Sequence, residues 1–132
     1  MKPCKLTIIT NTDGEETSVT YNGEMKISAA STVIRYREPN ALVSLRVYGE
    51  HAEVERQGDY TLKLPLLRGA LTKGEIGIGG TSGEIQTFTH KIAYSQTEQS
   101  ILLSLQYDLL LGEEPQKMHL RILGRYTAEK DV

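Results

Sequence analysis

The chain has 132 residues, with 15 basic and 17 acidic side chains, a formal net charge of −2 and one cysteine, Cys4. That length suits one domain with a core of its own, expected over 1–132 with its centre at about 5–126. The near-neutral charge argues against nucleic acid or an anionic membrane as the main partner, since both select basic surfaces, and a lone cysteine excludes an internal disulfide.

The N-terminal stretch MKPCKLTII has neither a long apolar region nor a small-residue cleavage site, so no signal peptide is expected. No apolar run approaches the roughly 20 residues of a membrane helix. The expected compartment is the cytoplasm, and Cys4, with no activating neighbour in sequence, reads as an inert thiol.

Lys5–Asn11 reads as a first strand, with Leu6 and Ile8 alternating against Thr7 and Ile9. Asp13-Gly14 is a strong hairpin signal and returns the chain through Glu16–Tyr21. Asn22-Gly23 fits either a turn or a bend inside a longer strand that continues as Met25–Ala29. Thr32–Glu38, Ala41–Tyr48, His51–Arg56 and Tyr60–Leu67 follow as strands, separated by Pro39-Asn40, Gly49-Glu50 and Gln57-Gly58-Asp59. Arg68–Gly83 carries six glycines without the GxxxxGK[ST] signature or the following helix of a phosphate loop, so it reads as bent strands and tight turns. Glu84–Tyr94 is the next strand, with Phe88, Ile92 and Tyr94 expected on one face.

The clearest element is Ile101–Leu111. Ile101, Leu103, Leu105, Tyr107, Leu109 and Leu111 are apolar, while Ser104, Gln106 and Asp108 fall between them. A period of two held this long marks a strand with one buried face. Gly112–Pro115 turns it into Gln116–Tyr126, and the polar tail 127–132 is expected to fray. No window keeps helical spacing. Short connections make the sheet an antiparallel meander, and closure removes the two sticky edges that a flat meander would expose. The expected fold is therefore all-β, a closed barrel of about eight to ten strands, whose interior holds side chains or one small ligand.

The DGEE hairpin, Tyr36-x-Glu38, Arg56-x-Gly58, Gly83-Glu84-Ile85 and the last hairpin LSLQYDLLLGEE recur in order. On these residues, spread over roughly 5–126, the chain resembles the small uncharacterised bacterial family typified by YwiB. The resemblance implies a calycin-like barrel, the class of lipocalins and fatty-acid-binding proteins, and brings no activity with it. The family carries aromatic residues just before the glycine matching Gly83, where Thr81 and Ser82 stand here. If those aromatics line a pocket mouth, the mouth of this chain is smaller or more polar.

Polar groups on otherwise apolar faces are the informative ones. Glu38 shares its face with Ile34 and Tyr36, Arg56 with Ala52 and Val54, and His90 is expected between Phe88 and Ile92. Tyr107 sits within the longest apolar row. As a binding site, Tyr36, Glu38, Arg56, Phe88, His90 and Tyr107 converge inside the barrel. Arg56 then meets a ligand carboxylate or phosphate, the tyrosines supply hydroxyls and walls, and His90 adds a switchable donor. As structure, Glu38 and Arg56 pair with each other and the tyrosines simply pack. Both partners for Arg56 remain open at this level.

Glu38 and His90 are the only acid–base pair on offer, without a nucleophile, so no enzyme is expected. His51, His90 and His119 lie on different strands at no metal-ligand spacing, and no cofactor is implied. Arg35, Arg37 and Arg46 make a small outer basic patch without an aromatic platform for bases. The expected function is non-catalytic binding of a small, partly apolar or anionic ligand inside the barrel. The alternative is a structural or regulatory domain with a filled interior that contacts a second copy or a protein partner.

Overall fold

The alternating rows become ten strands: β1 (Lys2–Thr12), β2 (Glu15–Ile27), β3 (Thr32–Glu38), β4 (Ala41–Tyr48), β5 (His51–Gly58), β6 (Tyr60–Leu67), β7 (Leu71–Ile78), β8 (Thr81–Gln96), β9 (Ser100–Leu110) and β10 (Gln116–Tyr126). The computed structural model describes residues 1–127, so the expected fraying of the tail lies, beyond Thr127, outside the described residues. Every strand pairs antiparallel with its chain neighbours, and β1 pairs with β10 to close the barrel. Among the described residues no helix is long and apolar enough to cross a membrane.

The first hairpin follows from its turn chemistry. Thr12 pairs with Glu15, and Asp13 and Gly14 between them adopt φ of 51° and 92°, values that Asp tolerates and Gly adopts freely. Asp13 Oδ1 also accepts the Lys117 N–H at 2.9 Å, tying this turn to β10. Asn22-Gly23 is not a turn: β2 runs straight through it. The glycine-rich segment contains β7, in which Gly74 faces inward and a Cβ there would collide with the Lys63 carbonyl of β6.

The long apolar row faces the centre. Ile101, Leu103, Leu105, Tyr107 and Leu109 are all under 9% exposed, and only Leu111, past the end of β9, is open to solvent. Leu6, Met25, Ile34, Leu103 and Leu105 have no accessible surface at all, so no water-sized space touches them. The middle of the barrel is filled with side chains, almost all of them hydrocarbon, with the hydroxyls of Thr87 and Thr89 as the polar exceptions on β8.

Strand β8 departs from its expected pattern. Thr89 pairs with Tyr107 and Lys91 with Gln106, which leaves His90 unmatched in a bulge. One extra residue swaps the faces on either side of it. Ile85, Thr87 and Thr89 point inward before the bulge and Ile92 after it. Phe88 and His90, expected inside, therefore lie on the outer surface, where their rings meet edge to face at 4.9 Å.

The two ends of the barrel differ. At the end holding the 28–31 and 97–99 turns, hydrogen bonds lace the opening shut. Thr32 Oγ1 donates to Gln96 Oε1 at 2.7 Å across the barrel, and Gln96 Nε2 donates to the Ser28 carbonyl at 3.2 Å. The Tyr126 hydroxyl accepts the Ile27 N–H at 2.8 Å, and the Tyr94 hydroxyl accepts that of Gly49 at 3.1 Å. Cys4 is sealed behind this end, 1% exposed, and burial raises its thiol pKa to about 11.

Truncating the centre of the core tests this register. Leu105→Ala is expected to cost about 2–5 kcal/mol and Gln106→Ala well under about 1 kcal/mol, measured from denaturant midpoints. The opposite ranking would mean that β9 is paired one residue out of register.

Candidate functional site, the open mouth of the barrel

At the opposite end, ringed by the 13–14, 39–40, 79–80 and 111–115 turns, the inward residues change character. Val19, Tyr60 and Ile78 face the interior rows yet are 44%, 37% and 61% exposed. The sequence of β3 places Tyr36 and then Glu38 on the inner face, each one step nearer this rim. Antiparallel pairing sets Tyr36 opposite Val43 of β4, and Val43 opposite Arg56 of β5. Tyr107 arrives from β9, and Tyr21 of β2 stacks on Tyr36 with centroids 4.9 Å apart.

Arg56 is held on four sides. Its Nε donates to Glu38 Oε1 at 3.3 Å, and its Nη1 lies 2.7 Å from Asp59 Oδ1. The same Nη1 donates to the Tyr60 carbonyl at 2.9 Å, and the guanidinium sits 3.8 Å above the Tyr60 ring. Partial burial disfavours this charge, but the Asp59 contact, then Tyr60 and Glu38, outweigh burial and leave the Arg56 pKa above its ordinary value. The hydrogen bond from Arg56 holds the exposed Asp59 carboxyl below its usual range. Of the two partners open to Arg56 on sequence grounds, the chain supplies one in Glu38 and adds Asp59, which the sequence reading placed only in a turn.

The tyrosines are the other half of the site. Tyr36 and Tyr107 are 9% and 6% exposed; among the described residues neither hydroxyl has a protein hydrogen-bond partner, and neither is sealed from solvent as the hydroxyls of Thr87 and Thr89 are. Burial, then the charge of Glu38, raises the Tyr36 pKa well above normal, and the same two causes act more weakly on Tyr21. Burial pushes Tyr107 up to about 12. All three phenols therefore stay protonated at neutral pH, each able to donate or accept one hydrogen bond. Next to this group a cleft of about 500 Å³ runs along the rim, lined by Asp59, Tyr60, Thr61, Ile78 and Thr81 among others. An adjoining cleft of about 470 Å³ is lined by Arg56, Leu62 and Glu75.

Four of the six expected site residues thus converge: Tyr36, Glu38, Arg56 and Tyr107. Phe88 and His90 do not. His90 Nε2 instead meets Asp108 Oδ2 at 2.8 Å on the outer surface. Tyr21 and Tyr60 were missed as site residues, although Tyr60 stands in register with Leu62, Leu64 and Leu66, a signal visible in the chain. His119 bonds Ser104 at 2.9 Å on the outer face, and His51 stacks on Tyr48. Among the described residues no group of His, Cys, Asp and Glu is arranged to hold a metal ion.

A family model described as a domain of unknown function (DUF1934) matches residues 4–122. The chain belongs to this family. It is also similar in structure to the ywiB protein of Bacillus subtilis, with a TM-score of 0.81 and 18% identity, covering 96% of this chain and 93% of that one. That likeness carries the fold alone, and it agrees with the calycin-like barrel implied by the motifs. No curated protein matches the chain. Thr81 and Ser82, where the family resemblance places aromatics, begin β8 at the rim, and Thr81 lines the 500 Å³ cleft.

Two measurements probe the site. Arg56→Met is expected to cost about 1–3 kcal/mol, less than a fully buried pair because Glu38 is one-third exposed, and adding Glu38→Gln should recover part of it in denaturant titrations. Tyr107 is protonated in both states below pH 10, its ordinary value, while above that only the unfolded chain ionises until the folded value near 12. Stability should therefore fall as pH rises from 10 to 12, and Tyr107→Phe should flatten that fall.

Proposed function

We propose that this protein is a non-catalytic binding module that takes a small, partly apolar ligand at the open mouth of its barrel. One observation carries the reading. Two tyrosines buried by more than nine-tenths keep hydroxyls that have no protein partner among the described residues yet still reach solvent, and they sit beside an ion pair and a solvent-open rim. Hydroxyls open to solvent and not engaged by the protein are free to donate to, or accept from, a ligand seated on them. Exposed apolar side chains at Val19, Tyr60 and Ile78 offer the surface that a hydrophobic part of such a ligand covers.

The expected site was inside the barrel, by analogy with fatty-acid-binding proteins. The filled centre favours a shallower one, with the ligand resting on the Tyr36–Tyr107 level. The outward rows carry Arg35, Arg46, Glu53, Glu55 and Lys63 where a lipid-facing barrel has an apolar band, which supports a barrel bathed in water.

A second reading has its own observation. Leu102 and Leu123 pair across β9 and β10 on the outer face and are 56% and 52% exposed. With a filled interior, this pair favours contact with a second copy or a protein partner.

Amide-resolved NMR with a panel of small aromatic and aliphatic compounds separates the two. Shifts are expected at Tyr21, Tyr36, Tyr60 and Tyr107, with Met25, Thr32 and Ile101 unmoved. Mouth amides that no compound moves at millimolar concentration, together with a dimer abolished by Leu123→Asp, would overturn ligand binding in favour of the interaction domain.

A further inference from the structure

We propose that the mouth is selective for a small organic cation, an ammonium group on a short apolar or aromatic body; this deepens, and rests on, the mouth-binding reading. The charge balance of the site points there. Arg56 is spent on two carboxylates, Glu38 and Asp59, so the cluster retains one negative charge in excess. The guanidinium engages only Oε1 of Glu38, and among the described residues Oε2 has no hydrogen-bond partner. Glu38 is one-third exposed, open to the rim.

The surroundings share this sign. The turns at the mouth carry Asp13, Glu113 and Glu114, with Glu15 at the start of β2, while Lys117 and Arg37 are the cations next to these turns among the described residues. The adjoining cleft, whose wall includes the outward-facing Glu55, Lys63 and Glu75 next to Arg56, is balanced rather than basic. An acid entering here would meet unneutralised carboxylates in a partly dry site, where like charges repel more strongly than in water.

The aromatic groups supply the second, independent argument. Ring faces attract cations, and the mouth already shows the interaction: the Arg56 guanidinium sits 3.8 Å above the ring of Tyr60. The stacked Tyr21–Tyr36 pair stands beside Glu38 without a cation of its own among the described contacts. The hydroxyls of Tyr36 and Tyr107, carried on residues more than nine-tenths buried, have no protein partner among the described residues and reach solvent; they accept hydrogen bonds, and an ammonium has three to give. Carboxylate, ring face and phenolic oxygen together match an alkylammonium head, and the apolar rim at Val19 and Ile78 matches its body. The zero exposure of Leu103 and Leu105 just below closes the site off from the barrel centre, so the body lies outward along the rim.

Three probes of one skeleton test the charge: 2-phenylethylamine, 2-phenylethanol and 3-phenylpropionate, each titrated into the labelled full chain by NMR. The amine is expected to move the amides of Tyr36, Glu38 and Tyr107 and to bind at least about tenfold more tightly than the acid. Its affinity should fall about fivefold or more in Glu38→Gln and in Tyr107→Phe, and should weaken with added salt. Glu38→Gln is conservative, and Asp59→Asn at an exposed position should weaken the amine in the same direction, so a folding defect in one variant does not decide the matter. Binding of the acid as tight as that of the amine, or amine binding unchanged in these variants, would overturn the cation assignment and leave mouth binding standing. Failure of all three probes to move any mouth amide would overturn both.

Discussion

Closure of the sheet is the constraint on which everything else rests. A meander of ten strands leaves its first and last members unpaired unless the sheet curls, and here β1 and β10 meet along nine residue pairs, from Cys4–Tyr126 to Thr12–Met118. Once the sheet is closed, every second residue has only one place to go. Leu6, Leu45, Leu64, Leu105 and Ile122 fill the interior because pairing leaves them no other face. Removing their apolar surface from water then supplies the driving force that holds the ring together. Thr87 and Thr89 show that small hydroxyls can face the sealed interior, but charged side chains at inward positions keep to an opening, and Glu38 and Arg56 stand at the rim.

The fold was legible wherever alternation ran unbroken. The row from Ile101 to Leu109 fixed its own buried face, and Asp13-Gly14 announced its turn through backbone preferences alone. Reading failed where register depends on a neighbour. The bulge at His90 belongs to the pairing of β8 with β9, and no residue inside β8 declares it. A trace is visible afterwards: Ile85 and Ile92 are both buried, yet they stand seven positions apart, an odd interval that a regular strand cannot keep on one face. Misplacing that one residue carried Phe88 and His90 into a site they never reach. Tyr21 was overlooked for a related reason: the sequence left open whether the chain turns or only bends at Asn22-Gly23, and the strand is in fact continuous there.

The candidate site was half legible. Composition along β3 and β5 disclosed an acid and a base on apolar faces, and the barrel brought them within 3.3 Å. The third member, Asp59, lies in a turn whose geometry alternation says nothing about. Its presence inverts the electrostatic meaning of Arg56, from a cation waiting for an anion to a cation already outnumbered. One residue three positions along the chain thus changes the class of molecule that the mouth would accept.

The seam between β1 and β10 also sets the order of assembly. The strands that close the ring come from opposite ends of the chain, so ring closure is the most non-local event in folding and bears the largest loop entropy. Each intervening hairpin can form from neighbours as it emerges during synthesis, but β1 keeps one edge bare until the last strand is complete. A chain interrupted anywhere before Gln116 is therefore left as an open sheet with two adhesive margins rather than as a smaller barrel.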